Sequence, residues 1–175
     1  MAVVCKKGHV LILGDERIAA TGLNRAVLPD YTVPLQYETP MARRAKQAIR
    51  IVLGPQADRF TEESYAIMTS EPYEITAASD RMGYRLAGAK LNHIDGADII
   101  SDGAVFGSIQ VPADGQPIIL MADRQTTGGY TKIATVITPD LPILAQMGPG
   151  ETVKFEIVTV AEAQAIYKTY CAMWR

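Results

Sequence analysis

Apolar and polar positions alternate with period two over several short stretches of this chain, and Gly, Pro, Asp and Asn punctuate the intervals between them. The alternation predicts strands at His9 to Leu13, Ile49 to Leu53, Tyr84 to Leu86, Ser108 to Val111, Ile118 to Met121 and Val153 to Val158. Ile118 to Met121 is apolar on both faces, which suits a strand with neighbours on each side. In Val153 to Val158 the residues Val153, Phe155 and Ile157 alternate with Lys154 and Glu156, as on a half-buried strand nearer an edge.

Three short helices interrupt this pattern. The first opens at Phe60-Thr61, where Thr61 can cap and Phe60 and Tyr65 can form a hydrophobic staple, and it should end between Ser70 and Pro72. The second is predicted to start with Thr138 as N-cap and Pro139 at the first helical position. It would bury Leu141, Leu144 and Ala145 and stop at Gly148-Pro149-Gly150. Thr159 and Glu162 form a capping box for the third, whose Ala163, Ile166, Tyr170 and Met173 lie on one stripe expected to pack on the sheet. Strands with a few short covering helices give a mainly-β, barrel-like domain over residues 49–175. Residues 15–48, with Pro29, Pro34 and Pro40 and no sustained periodicity, read as a linker or draped connection. The strand before it then makes residues 1–14 the remnant of a preceding subdomain.

Composition narrows the function classes. The chain has 175 residues, 48% of them hydrophobic, enough to bury a single-domain core. A net charge of -2 offers no basic excess for a nucleic-acid backbone. No apolar run reaches membrane-spanning length and the apolar stretch around Val10 to Leu13 is too short for a signal h-region, so a cytoplasmic location is expected. Cys5 and Cys171 lie far apart in sequence and His9 and His93 are isolated, so neither a disulfide framework nor a metal site is expected.

Two segments carry more polar chemistry than a barrel requires. In Ser79-Asp80-Arg81-Met82-Gly83-Tyr84-Arg85-Leu86, continuous strand alternation would put Arg81 and Arg85 on one side, with Asp80 orienting the Arg81 fork toward an anion. The competing reading is a surface strand with an ordinary ion pair. In the second segment Asp114-Gly115 predicts a hairpin turn that would bring Gln110 level with Asp123. Beyond Met121 the chain turns abruptly polar, through Asp123, Gln125, Thr126 and Thr127 to Gly128-Gly129-Tyr130. These groups could hold an amide or an oxyanion, or could simply form a loop that satisfies buried backbone. No phosphate loop, dinucleotide fingerprint, nucleophile elbow or kinase signature is present, nor a biotin-bearing Met-Lys-Met segment.

The blocks IRIVLGPQADRFTEES, SDRMGYRLAG, SDGAVFGSIQVPADGQPIILMADRQTTGGY and KIATVITPDLPILAQMGPGETVKFE resemble the C-terminal half of the biotin-dependent carboxyltransferase / 5-oxoprolinase C-subunit family, also called allophanate hydrolase subunit 2. The resemblance implies a cyclophilin-like β-barrel and a complex with a smaller related chain, the B-subunit of the kinase-inhibitor type; the A-subunit is a further candidate partner. It implies ATP-dependent opening of 5-oxoproline, or carboxyl transfer to urea, with ATP and biotin handled by partner subunits and no cofactor held covalently here. The alternative it leaves open is a non-catalytic module that antagonises a histidine-kinase inhibitor. Within this frame Asp123 and Arg81 are the candidate catalytic residues. Ser79, Asp80, Tyr84, Gln110, Gln125, Thr126, Thr127, Gly128, Gly129 and Tyr130 are the candidate substrate-binding ones. Thr131 and Ala89 stand where the family often has Pro, which is expected to loosen both turns. Family members are roughly twice as long, so this chain is expected to be the second part of such a protein.

Overall fold

The computed structural model describes Ala2–Cys5, His9–Ile12 and residues 48–172. The first two segments, β1 (Ala2–Cys5) and β2 (His9–Ile12), pair antiparallel as a separate hairpin with Val3 opposite Leu11. Of the expected linker over residues 15–48, all but Ala48 lies outside the described residues.

In the larger unit, strands β3 (Ile49–Leu53), β4 (Tyr73–Ile75), β5 (Gly83–Ala87), β7 (Ser108–Gln110), β8 (Ile118–Leu120), β10 (Lys132–Val136), β11 (Thr152–Val153) and β12 (Phe155–Ile157) build one eight-stranded sheet. Its order is β11-β4-β5-β8-β7-β10-β3-β12. The two edge strands are consecutive in the chain, separated by Lys154 alone. β11 pairs antiparallel with β4, and β12 pairs parallel with β3. One passage of backbone thus joins the opposite edges, and the sheet curls into a nearly closed barrel without long free edges. Val153 and Phe155, at 1% and 2% exposure, both point into the interior, where the Phe155 ring of edge strand β12 lies 6.0 Å from the Tyr73 ring of β4, next to the opposite edge. The stretch expected to be one edge strand is therefore two. Inward alternation is the same either way, and only the partner strands distinguish them.

The fold is the expected mainly-β barrel, and its core includes Ile51, Ile75, Ile109, Val111, Ile119 and Ile133. β8 is central, between β5 and β7, and its Ile119 and Leu120 are buried, as its unbroken apolar run anticipated. Helix α1 (Glu62–Ser70) is capped by Thr61, whose side chain accepts from the Ser64 N–H, and Phe60 is buried beside it. Thr138 does not cap the second helix. Ile137 precedes a 3-10 turn at Thr138–Asp140, which leads into α2 (Leu141–Leu144). Ile143 takes the buried place expected of Ala145, which is exposed. Asp140 ties that turn to β3: its carboxylate accepts from the Arg50 backbone N–H at 2.9 Å and from Arg50 Nε and Nη2 at 2.9 and 2.5 Å. Asp140 is buried, and this hydrogen bond is the main reason the Arg50 pKa is raised.

The capping box of α3 (Val160–Ala172) forms as expected: the Thr159 N–H donates to Glu162 Oε2 at 2.7 Å, and the Glu162 N–H to Thr159 Oγ1 at 3.2 Å. Ala163, Ile166 and Tyr170 are the expected inner stripe, yet they are only half-buried; the helix meets the Thr138–Asp140 turn, and its Glu162 and Ile166 border a cleft shared with Arg50 of β3 and Glu156 of β12. Met173 lies outside the described residues. Among the described residues no helix is long and apolar enough to cross a membrane.

A second, smaller sheet pairs β6 (Asp98–Gly103) with β9 (Thr127–Tyr130) as an antiparallel ribbon. Neither strand was anticipated, because β6 is exposed nearly throughout and β9 contains two glycines, so neither carries an apolar alternation.

Candidate functional site at the strand ends

Where β5 begins and β8 ends, the backbone ladder continues past both strands. The Met121 N–H donates to Met82 O and the Asp123 N–H to Arg81 O, each at 2.9 Å. This pairing, and no feature of local sequence, sets Arg81 beside Asp123, 42 residues later. Their side chains meet in a fork, Arg81 Nε to Asp123 Oδ2 at 3.1 Å and Nη2 to Oδ1 at 3.2 Å. Arg81 is 84% and Asp123 48% exposed, so the pair is presented to solvent with the other guanidinium N–H groups available.

Ser79 and Asp80 shape the turn that holds Arg81. Asp80 Oδ1 accepts from the N–H groups of Met82 and Gly83 at 2.8 and 3.1 Å, and Ser79 Oγ accepts from the Arg85 N–H at 2.9 Å. Asp80 therefore does not orient the arginine fork; Asp123 does. The same turn corrects the expected placement of the two arginines. Strand alternation starts only at Gly83, so Arg81 borders one cleft together with Tyr84, while Arg85 borders another together with Met82.

The two clefts share Asp80. The larger, about 540 Å³, is a groove of mixed character whose walls include Arg85, Gln110, Gln125 and Tyr130 beside Met82 and Ile118. The smaller, about 350 Å³, has apolar walls including Tyr84, Phe106, Met121 and Met147, with Ser79 and Arg81 at its polar border. The Tyr84 hydroxyl donates to Met147 O at 3.1 Å, and the Arg124 guanidinium lies 5.9 Å from the Phe106 ring centre. Gln110 is opposite Ile118 in the β7–β8 hairpin, so it is not level with Asp123, as had been expected. Asp123 lies past the far end of β8, beyond the barrel pairing that Asp114-Gly115 initiates.

Thr126, Thr127, Gly128 and Gly129 border neither cleft. Thr126 O accepts from the Ala104 N–H, and the other three belong to β9. Gly128 rests on the Gln110 side chain: a Cβ at that position would lie 2.3 Å from Gln110 Nε2. Gln110 is buried and its Nε2 has no hydrogen-bond partner. Thr131, standing where the family often has Pro, has an N–H to donate, and it goes to Ala97 O at 2.9 Å; its hydroxyl lies 3.0 Å from His93 Nε2. Ala89 O likewise accepts from the Tyr73 hydroxyl at 2.9 Å.

Three further polar residues near the groove escaped the sequence reading. Lys132, 2% exposed, reaches Asp102 Oδ2 with Nζ at 3.1 Å, and Gln56 Nε2 approaches the same oxygen at 3.3 Å. The Lys132 hydrogen bond is the largest cause holding the Asp102 carboxyl below its ordinary pKa, followed by the Gly103 N–H. A single lysine beside the mostly apolar strand Ile133 to Val136 was the available signal.

Fold and site together define a β-barrel domain with polar groups gathered beyond the ends of its strands. The chain belongs to the family described as carboxyltransferase domain, subdomain A and B, which matches residues 3–157. It is 45% identical over 118 residues to the 5-oxoprolinase C-subunit of Haemophilus influenzae, covering 67% of this chain and 38% of that protein. To the 5-oxoprolinase C-subunit of Escherichia coli it is 40% identical over 115 residues, 66% of this chain and 37% of that one. The chain thus spans well under half the length of these relatives. The urea carboxylase structure from Kluyveromyces lactis shares the fold with a TM-score of 0.64 at 24% identity, covering 69% of this chain and 12% of that one.

Proposed function

We propose that this chain is the second part of a 5-oxoprolinase C-subunit, working within an ATP-dependent complex that opens a small lactam or amide. The observation that carries this reading is the 45% identity to a 5-oxoprolinase C-subunit over two-thirds of the chain. The clefts supply chemistry suited to such a substrate. Arg81, held by Asp123, offers its outward N–H groups to a carboxylate, and Arg85 offers a second cation in the adjoining groove. The Gln125 amide and the Tyr130 hydroxyl border that groove and could hold a carbonyl oxygen or the oxyanion that develops from it. Asp123 acts here as the orienting partner of Arg81.

ATP would be handled by partner subunits, the smaller B-subunit together with the A-subunit, since this sequence has no phosphate-binding motif. A biotin ring brought by a partner, which supplies a transferable carboxyl group in urea-carboxylase chemistry, would fit the small cleft, where Tyr84, Phe106 and Met121 give apolar walls and Ser79 and Arg81 a polar border. The test is reconstitution of the complete complex. Arg81→Ala and Asp123→Ala are each expected to lower 5-oxoproline-dependent ATP turnover by about tenfold or more. Unchanged turnover in both would remove the assignment.

A second reading, a regulatory module that antagonises a histidine-kinase inhibitor, draws on the ribbon, where Ile100 is 95% exposed and available to a protein partner. Such a module would relieve kinase inhibition while leaving lactam turnover unaffected.

A further inference from the structure

The β6–β9 ribbon needs a determinant of register that its apolar pattern does not supply. Burial of one face normally fixes how two strands align, and alignment is weakly specified in exposed or glycine-rich strands. β6 is exposed along nearly its whole length, and β9 contributes Gly128 and Gly129. The observed alignment is also irregular. Asp98 is opposite Tyr130 but Asp102 is opposite Gly128, so Ile99, Ile100 and Ser101 bulge against Gly129 alone. Regular pairing continued from Asp98 would instead set Ile100 against Gly128 and Asp102 against Thr126. Something must hold Asp102 back at Gly128.

Lys132 is placed to do so. It stands on β10, opposite Gln110 of β7, and its buried ammonium crosses to Asp102 at 3.1 Å. Gln56 braces both partners: its Nε2 lies 3.3 Å from Asp102 Oδ2, and its Oε1 accepts from the Lys132 backbone N–H at 3.1 Å. Asp102 faces Gly128, Gly128 lies on the Gln110 amide, and Gln110 faces Lys132. The four residues close a ring of contacts between ribbon and barrel. Gly128 fits there because any Cβ would strike Gln110. With Asp102 52% exposed the pair contributes little net stability, whereas the buried Lys132 ammonium needs its anionic partner, and fixing register is the best-attested use of such a pair.

We propose that the Lys132–Asp102 ion pair, braced by Gln56, is the register lock of the β6–β9 ribbon, and that both residues are positioning residues for the groove bordered by Gln110, Gln125 and Tyr130. The effect on the groove rests on the function proposed above; the lock itself does not.

Two measurements test the two parts. Hydrogen exchange on the full chain should show ribbon amides, residues 98–103 and 127–130, exchanging at least about tenfold faster in Asp102→Asn, with β7, β8 and β10 still protected. Asp102 is half-exposed, so this variant is expected to fold; Lys132→Met should loosen the same segment while the barrel keeps its protection. Unaltered ribbon exchange, or loss of protection spread evenly over the barrel, would overturn the lock. In the reconstituted complex, Asp102→Asn should raise KM more than it lowers kcat, and Asp102→Glu should restore KM. An unchanged KM in Asp102→Asn, with Arg81→Ala impaired, would overturn the positioning role alone. Full turnover in Arg81→Ala would instead sink the functional reading, with the lock still supported by faster ribbon exchange.

Discussion

Gly128 shows how far one missing side chain can constrain the site. Its backbone lies against the Gln110 amide, which is buried and has an unpartnered Nε2. Adding a methyl group there forces the end of the buried Gln110 side chain or the ribbon to move. Gly128→Ala is therefore expected to destabilise the chain by about 1–3 kcal/mol, the usual range for overpacking. Urea unfolding would measure it. Because Gln110 is the atom-level cause, Gln110→Ala in the same chain should recover a large part of the loss, a coupling of about 1 kcal/mol or more in a double-mutant cycle. Additive losses would show that the ribbon backbone, and not Gln110, meets the new methyl group.

At the scale of elements, His93 joins three parts of the barrel wall. Its ring packs on Phe60 with centres 4.6 Å apart, and Nε2 lies 3.1 Å from Val111 O and 3.0 Å from Thr131 Oγ1. Burial lowers the His93 pKa, outweighing the Val111 hydrogen bond that raises it; nearby Arg59 lowers it further. The folded chain thus prefers neutral imidazole more strongly than the unfolded chain does. Its contribution to stability is complete above the unfolded value, about 6.5, and is lost as pH falls through the lower folded value. Thermal melting at pH 7.5 and 5.5 should show a fall in Tm for the wild type and a smaller fall for His93→Gln. Equal falls would assign the acid sensitivity to other groups. A histidine with no nearby metal-type partner in sequence gave no sign of this role, because Val111 and Thr131 approach it only through the fold.

For the whole molecule, the barrel closes within the described residues while the chain spans 38% of its Haemophilus relative. Closure leaves a contiguous core, so residues 48–172 of the isolated chain are expected to fold and unfold cooperatively. Its clefts are open on the surface and its proposed ATP chemistry lies on other subunits, so it should not turn over 5-oxoproline or urea alone. Exposed apolar side chains such as Ile100, Ile94 and Val105 should also favour self-association. Circular dichroism, light scattering and incubation with ATP plus either substrate check these outcomes. Robust turnover by the isolated chain would show that the catalytic groups are complete within it.

Local interactions made the caps and central strands legible in sequence. Thr61, the Thr159–Glu162 pair and the apolar run Ile118 to Met121 act through neighbours a few residues away or through simple burial, and they formed as expected. The four sequence blocks carried the family in the same way. The tertiary structure alone decided that Lys154 divides one apparent strand between opposite sheet edges, that the Asp80 turn separates Arg81 from Arg85, and that Asp123 forks with Arg81. It also decided that Lys132 should be buried against Asp102. Each depends on which distant strand lies alongside, and period-two alternation is identical whichever partner a strand takes.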